Sequence, residues 1–295
     1  MTTTKPTPIL ISGLPGKMAT LVAQALIRDN RYLVVPHALV GLETTDPEIF
    51  LELHDKLGPM TRIPFETVYA PGRPNYLQEL KSRYPGLIIV DYSVPSAVNT
   101  NAELFCDAGI PFVMGTTGGD RKALQRTVER SGVPAVISPN MSPAIVLLLS
   151  MFEYAAMTFP DALKDFSLEI IESHQAGKKD KSGTAKKIGE LFGQLGVDYR
   201  GEDSINAIRN RMAQLAMCIP PEYLDGHGWH TYRLISPDGS VMLEFRHNVN
   251  GRQTYVDGTV LALVFLMEKV REACLGVFTN EPTDTYFTMI DVLKG

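Results

Sequence analysis

At 295 residues the chain is long enough to bury a sizeable core, in one large domain or two. Its 44% hydrophobic and 21% charged residues are ordinary for a globular protein, and a net charge of −5 argues against a nucleic-acid-binding face, which is broadly basic; any cationic site must be local. Cys106, Cys218 and Cys274 are widely spaced without a CxxC pair, which predicts reduced, mostly buried thiols and neither a disulfide framework nor a zinc site.

Met1 to Pro6 leads straight into a short apolar strand, Pro8 to Ser12, with no secretory signal in view. Gly13-Leu14-Pro15-Gly16-Lys17-Met18-Ala19 follows at once, and Leu21, Ala25 and Leu26 then fall at helical spacing. Strand, glycine turn and helix start are the usual opening of a dinucleotide-binding fold, although two glycines alone fit a plain strand-to-helix turn nearly as well. Tyr32 to Val40 is the next strand. It ends without a carboxylate before Glu43, so strict NADH selectivity is not supported, and no arginine stands there for a 2′-phosphate either.

Asp46 to Leu57 predicts a short helix, and the rest of the proline-containing stretch up to residue 75 an irregular connection. Tyr76 to Arg83 reads as a helix and Leu87 to Asp91 as a fully buried parallel strand. Ser96 is the expected N-cap of a helix from Ala97 to Ala108. Pro111 to Met114 and Pro134 to Ser138 are strands on either side of a helix over Asp120 to Ser131. This alternation predicts a Rossmann-type α/β fold with a doubly wound parallel sheet, whose ligands lie off the carboxyl ends of the strands. The turns at 13–16, 115–117 and 138–141 all fall at that edge.

After Ser142 the texture changes. A helix from Pro143 to Thr158 is the most apolar run, but Glu153 and its length argue against a membrane span. Phe166 to Ile171 reads as a strand and Lys186 to Leu195 as a helix, with Glu172-Ser173-His174-Gln175-Ala176-Gly177-Lys178-Lys179-Asp180-Lys181-Ser182-Gly183-Thr184-Ala185 between them. An imidazole, several ammonium groups and a Ser-Gly-Thr helix start suit a small polyanion. His230 to Ile235 and Val241 to Val249 flank a Ser-Pro-Asp-Gly-Ser turn and predict an antiparallel pair. The expected second domain, residues 143–250, is α+β with a mixed, mostly antiparallel sheet whose exposed face suits a substrate cavity, a subunit interface, or both. The first covers 1–142 and is completed by 251–295, where Asp257 to Ala273 is a long helix. A cytoplasmic protein without membrane or nucleic-acid partners is the default.

These residues resemble the 4-hydroxy-tetrahydrodipicolinate (dihydrodipicolinate) reductase family of lysine biosynthesis. The resemblance rests on Gly13-x-x-Gly16-Lys17-Met18, Val90-Asp91-Tyr92-Ser93-x-Pro95, Gly115-Thr116-Thr117-Gly118, Ser138-Pro139-Asn140-Met141-Ser142, Glu172-x-His174 through Lys178, Asp180 and Ser182-Gly183-Thr184-Ala185, and Glu244-Phe245-x-His247 with Gly251-Arg252. Two departures, Gln175 in place of a second histidine and Lys181 where most bacterial members carry proline, look like the plant-type branch. Val40 stands where bacterial members use a glutamate for the adenosine ribose.

The resemblance implies NADPH- or NADH-dependent reduction of a small cyclic dicarboxylate by a homo-oligomer, dimer or tetramer. It points to Gly13, Leu14, Pro15, Gly16, Lys17 and Met18 for the pyrophosphate, Gly115, Thr116 and Thr117 for the nicotinamide ribose, and Ser138, Pro139, Asn140 and Met141 for the nicotinamide. In that setting His174 is the expected acid/base, since imidazole exchanges protons near neutral pH. Lys178 is expected to bind a carboxylate or ring nitrogen and to be able to supply the proton. Gln175 is a hydrogen-bonding group, and Ser182, Gly183 and Thr184 form the second carboxylate site. Lys179 and Lys187 are expected to be solvated. His227, His230 and His247 lack a ligand spacing or an accompanying carboxylate, so they are expected to be structural or to line the substrate cavity, without metal. Another two-domain NAD(P)-dependent dehydrogenase of amino-acid metabolism and a catalytically silent nucleotide sensor remain alternatives at this point.

Overall fold

A computed structural model describes residues 5–41, 43–53, 60–116, 118–274 and 285–295. The chain divides into two compact units, Met1–Pro143 with Tyr255–Gly295, and Ala144–Thr254. The elements run β1 (Thr7–Ser12), α1 (Lys17–Ile27), β2 (Tyr32–Leu39), β3 (Glu48–Leu53), β4 (Thr61–Val68), α2 (Arg73–Arg83), β5 (Ile88–Asp91), α3 (Val98–Ala108), β6 (Phe112–Met114), α4 (Arg121–Ser131) and β7 (Ala135–Ile137). They continue with α5 (Pro143–Thr158), β8 (Ser167–His174), α6 (Gly183–Gln194), β9 (Ile205–Ile208), α7 (Arg211–Ala216), β10 (His227–Ile235) and β11 (Met242–Asn250). The last are α8 (Gln253–Cys274), β12 (Tyr286–Phe287) and α9 (Met289–Lys294).

In the first unit the sheet order is β12-β7-β6-β5-β1-β2-β4-β3, parallel except for the β3–β4 pair at one edge. The apolar runs of β1 and β5 are buried on both faces, as parallel strands covered by helices must be. The strand order reverses between β1 and β5, which places the Gly13 turn and the end of β5 at the switch point where such sheets bind ligands. Phe105 and Phe112 meet edge-to-face at 5.3 Å in the core between α3 and the sheet. Asp120 caps α4 by accepting from the Ala123 N–H at 3.0 Å.

The second unit is built on the sheet β11-β10-β8-β9, antiparallel except for the β8–β9 pair. Along β10 every second residue is buried, so Tyr232 and Leu234 join Ile170, Ile188 and Phe192 in one core. Phe152 of α5 packs edge-to-face on Phe192 of α6 at 5.1 Å. Truncating Phe192 to alanine would cost roughly 3–5 kcal/mol, the scale for a large buried ring.

Several sequence expectations need correction. Residues 48–53 are not helical but form β3, and part of the connection read as irregular is β4. In β3, Ile49 and Leu51 turn inward while Glu48, Phe50 and Glu52 are exposed; this two-residue period decides the conformation over the helix-favouring Glu and Leu. The remainder of the expected helix, residues 54–57, lies outside the described residues. Ser96 does not cap α3: a short 3-10 turn over Pro95–Ala97 intervenes and Ala97 takes the cap position without a side-chain bond. Only Cys106 is buried, whereas Cys218 and Cys274 are exposed. β8 runs on to His174, and α6 begins at Gly183, not at Lys186. Glu172 and His174 are therefore strand residues on one face.

Candidate active site

The carboxyl end of β8 carries three polar residues that alternate faces. Glu172 and His174 project to one side, and Ser173 projects to the other. Glu172 is fully buried, and its Oε2 lies 2.5 Å from His174 Nδ1. Arg209, just past the end of β9, donates to both carboxylate oxygens, from Nη2 at 2.7 Å and from Nη1 at 3.0 Å. Burial alone would raise the Glu172 pKa, but the hydrogen bonds from His174 and Arg209 outweigh it and bring it down to about 2. Glu172 is thus an ionised acceptor for the Nδ1 proton of His174, which leaves Nε2 as the exchanging position. The imidazole has room because Gly228 is its cross-strand partner: a Cβ there would lie 3.1 Å from Nε2.

The same guanidinium organises the loop that follows. Arg209 Nε donates to the Lys178 carbonyl at 3.0 Å, and Nη2 donates to the Asp180 carbonyl at 3.2 Å. Lys178 Nζ lies 2.8 Å from Asp180 Oδ2, and Lys178 N–H closes a turn onto the Gln175 carbonyl. Lys179 is exposed, whereas Lys181 reaches back to the Ile205 carbonyl. Lys187 is also exposed and pairs with Glu153 at 3.3 Å.

Ser182 is the N-cap of α6 and accepts from the Ala185 N–H at 3.4 Å. The first turn contains no acidic residue, and the N–H groups of Gly183 and Thr184 have no intrahelical acceptor, which suits a carboxylate. Buried His230 places Nε2 2.8 Å from Ser182 Oγ, while its Nδ1 has no partner. Burial, then the neighbouring His247 and His174, push the His230 pKa well down, so the ring is neutral. An orphaned N–H costs more than an orphaned lone pair, so the proton belongs on Nε2. Ser182 Oγ then accepts from both His230 and Ala185, and its own hydrogen is left for a ligand.

His230 stacks on His247 at 4.4 Å and meets His174 edge-on at 5.1 Å. His227 is apart from this face. Its Nε2 lies 2.8 Å from Ser173 Oγ and its Nδ1 lies 3.1 Å from the Tyr223 carbonyl, a structural arrangement. The expectation that no carboxylate accompanies these histidines is wrong for His230. Strand register puts it opposite Glu172, and ligand-type atoms of Glu172, His174 and His230 fall within 4.8 Å of one another. Glu172 is bonded to His174 and Arg209, and His230 to Ser182; the Arg209 charge opposes a cation there.

In the first unit the expected cofactor residues lie along the carboxyl edge of the sheet. Gly13 has φ +102°, and a Cβ on it would lie 2.3 Å from the Tyr92 carbonyl oxygen, so only glycine fits. Leu14 is buried, Pro15, Gly16 and Lys17 are exposed, and Met18 is half-buried. Gly16 caps α1 without a side-chain bond, and the first turn has no acidic residue, so the free N–H groups of Lys17 and Met18 fit a pyrophosphate.

Asp91, fully buried at the end of β5, ties three turns together. It accepts from Ser12 Oγ at 2.6 Å, Ser93 Oγ at 2.9 Å, Asn101 Nδ2 at 3.0 Å and Thr116 Oγ1 at 3.3 Å. Burial raises its pKa, and these bonds act against that. Gly115 lies under the Tyr92 ring, where a Cβ would come within 2.4 Å. Thr117 lies outside the described residues. In the turn after β7, Ser138 Oγ donates to the Asn140 carbonyl at 2.7 Å, Asn140 Oδ1 accepts from Ser142 N–H, Pro139 is exposed and Met141 is buried.

Residues 7–141 match the family described as dihydrodipicolinate reductase, N-terminus, and residues 144–293 match its C-terminus. The chain belongs to the dihydrodipicolinate reductase family. Among curated relatives, 4-hydroxy-tetrahydrodipicolinate reductase 2, chloroplastic, of Arabidopsis thaliana is 47% identical over 289 residues, covering 97% of this chain and 77% of its own. A probable reductase 2 of Oryza sativa, also chloroplastic, is 40% identical over 97% of this chain and 83% of its own. The reductase of Aquifex aeolicus is 28% identical over 97% and 98%. A dipicolinate-bound dihydrodipicolinate reductase from Paenisporosarcina sp. TG-14 shares the fold at TM-score 0.57 and 19% identity, over 89% of this chain and 95% of that one.

Arg209 was not singled out by the sequence, and His230 was expected only to be structural or to line the cavity. For Arg209 no signal was available, since its partners other than the adjacent Ile208 carbonyl are 29 to 37 residues away. The i, i+2 spacing of Glu172 and His174 could have revealed their pairing on a strand.

Proposed function

We propose that this chain is a 4-hydroxy-tetrahydrodipicolinate reductase, reducing the dihydrodipicolinate-type substrate to tetrahydrodipicolinate at the expense of NADPH or NADH, in the diaminopimelate route to lysine. The observation that carries the reading is the Glu172–His174 pair at the end of β8, held by Arg209, which also holds the following loop of Lys178 that leads to the Ser182 helix start. Both halves of the family matched by one chain, and plant relatives named for this reaction, support it.

When bound, the nicotinamide dinucleotide supplies the hydride. Addition to a conjugated C=C–C=N system pushes an electron pair onto the ring, and a proton must meet it. His174 holds that proton at Nε2 while Glu172 accepts at Nδ1 and stabilises the charged ring. Lys178 neutralises one substrate carboxylate. The N–H groups of Gly183 and Thr184, with the Ser182 and Thr184 hydroxyls, take the other, and Gln175 adds a neutral hydrogen bond. On the first unit, the N-terminus of α1 takes the pyrophosphate, while the turns at 115–117 and 138–141 hold the nicotinamide end.

We also infer a homo-oligomer, dimer or tetramer. β11 is an edge strand, and such edges favour pairing or cover. The compartment that fits is a reducing one, cytoplasmic or plastid in type: the three cysteines are free and the plant relatives are named chloroplastic. Among the described residues no helix is long and apolar enough to cross a membrane.

A coupled assay with freshly made dihydrodipicolinate-type substrate, following NADPH and NADH absorbance separately, tests the activity. Substrate-dependent oxidation of at least one cofactor is expected. Oxidation of neither contradicts the proposal.

A further inference from the structure

The residue that reads the adenosine ribose in a Rossmann sheet stands at the carboxyl end of the second strand. Here that end, Leu39-Val40-Gly41, offers neither carboxylate nor cation in the sequence. The fold supplies a cation from elsewhere. β4 pairs in parallel with β2, with Leu39 opposite Val68, so the helix that follows β4 begins at the same edge. Its first residue, Arg73, is half-buried there. Arg73 Nη2 donates to the Val40 carbonyl, and Nε donates to the Val68 carbonyl at 3.5 Å.

Those carbonyls anchor the guanidinium without neutralising it. Among the described residues no carboxylate pairs with Arg73, although Arg31, Arg200, Arg209, Arg233 and Arg246 each have one. The carboxylate whose charge acts on it is Asp91, which already accepts four hydrogen bonds. Burial lowers the Arg73 pKa, as for a cation short of counter-charge. Among the described residues two of its five N–H donors have an acceptor, and the first turn of α2 contains neither an acidic residue nor a side-chain cap. A half-buried, anchored guanidinium with open donors is a receptor for a doubly charged phosphate, which takes paired N–H donors well.

We propose that Arg73 binds the 2′-phosphate of NADPH and makes the chain NADPH-selective. This rests on the reading of the first unit as dinucleotide-binding. The phosphate would occupy the outer N–H donors while the inner ones stay on the strand-end carbonyls. Selectivity then comes from a residue 33 positions beyond the strand end.

Equilibrium titration of the full chain with NADPH, NADH, 2′,5′-ADP and 5′-AMP, read by nucleotide fluorescence or calorimetry, tests this without turnover. The wild type is expected to bind 2′,5′-ADP at least about tenfold more tightly than 5′-AMP, with a gap that narrows as salt rises. Arg73→Met should weaken NADPH roughly 10- to 100-fold and leave NADH within about twofold, and Arg73→Lys should recover part of the loss. Equal wild-type affinity for the two adenosine fragments would overturn the assignment even if the variants failed to fold. An equal loss of NADPH and NADH in a folded Arg73→Met variant would also overturn it. Both results leave the dinucleotide-binding reading standing. Binding of neither NADPH nor NADH would overturn both.

Discussion

Arg209 grips both oxygens of Glu172, at 2.7 and 3.0 Å, while the same carboxylate faces the Nδ1 of His174 at 2.5 Å. The cation fixes the carboxylate, the carboxylate fixes the imidazole, and the backbone bonds of the same guanidinium fix the Lys178 loop. Cutting this chain at different links should therefore produce different losses.

Arg209→Ala leaves a buried carboxylate without its guanidinium, which should destabilise the fold by roughly 3–5 kcal/mol. It should also raise the KM for substrate by releasing Lys178. Arg209→Lys keeps the charge but loses the paired donors, so denaturant unfolding and substrate kinetics should show only partial recovery. A lysine variant indistinguishable from wild type would mean that charge alone matters.

Glu172 has a folded pKa of about 2 against an ordinary 4.5. Because the folded value is depressed, its contribution to stability is fully present above the unfolded value and is lost as pH falls through the folded one. The window runs from about 4.5 down to about 2, and the contribution is on the order of 3 kcal/mol. Unfolding free energy of the wild type should fall through that window more steeply than that of Glu172→Gln. Parallel curves would show that the carboxylate is not held as described.

Much of this arrangement was legible because it is local. The turns at 13–16 and 138–141 and the residues between 172 and 185 carry their chemistry within a few positions, and so do the buried strands β1, β5 and β6. What was not legible depends on distant pairing. β3 reads as a helix until β4 is laid beside it, and Arg209 and Arg73 acquire meaning only when parallel strands bring them to Glu172 and Val40. β12, two residues long, is a strand only because Tyr286 and Phe287 pair with Ala135 and Val136.

His230→Phe keeps an aromatic ring beside His247 but removes the donor to Ser182. The Ser182 hydroxyl is then free to turn away from the ligand. KM for the dicarboxylate should rise about tenfold, the value of one hydrogen bond to a charged group, with NADPH affinity unchanged. Steady-state kinetics together with a cofactor titration separates the two, and an unchanged KM would remove His230 from the site.

Asp91→Ala removes the carboxylate that accepts from Ser12, Ser93, Asn101 and Thr116 and leaves these four donors without it. The three turns on the cofactor edge should loosen together. Affinity for NADPH and NADH should fall in parallel by about tenfold, in contrast to the selective loss expected at Arg73. Titration with both nucleotides reads the difference.

The central claim is that His174, backed by Glu172, delivers the proton that completes hydride transfer. The most direct measurement is turnover of His174→Gln in the coupled assay, taken alongside its NADPH binding. Turnover reduced roughly 100-fold or more, the scale of a general acid, with NADPH affinity unchanged, is the result expected. Wild-type turnover, or a collapse of NADPH affinity that accounts for the loss, would contradict it.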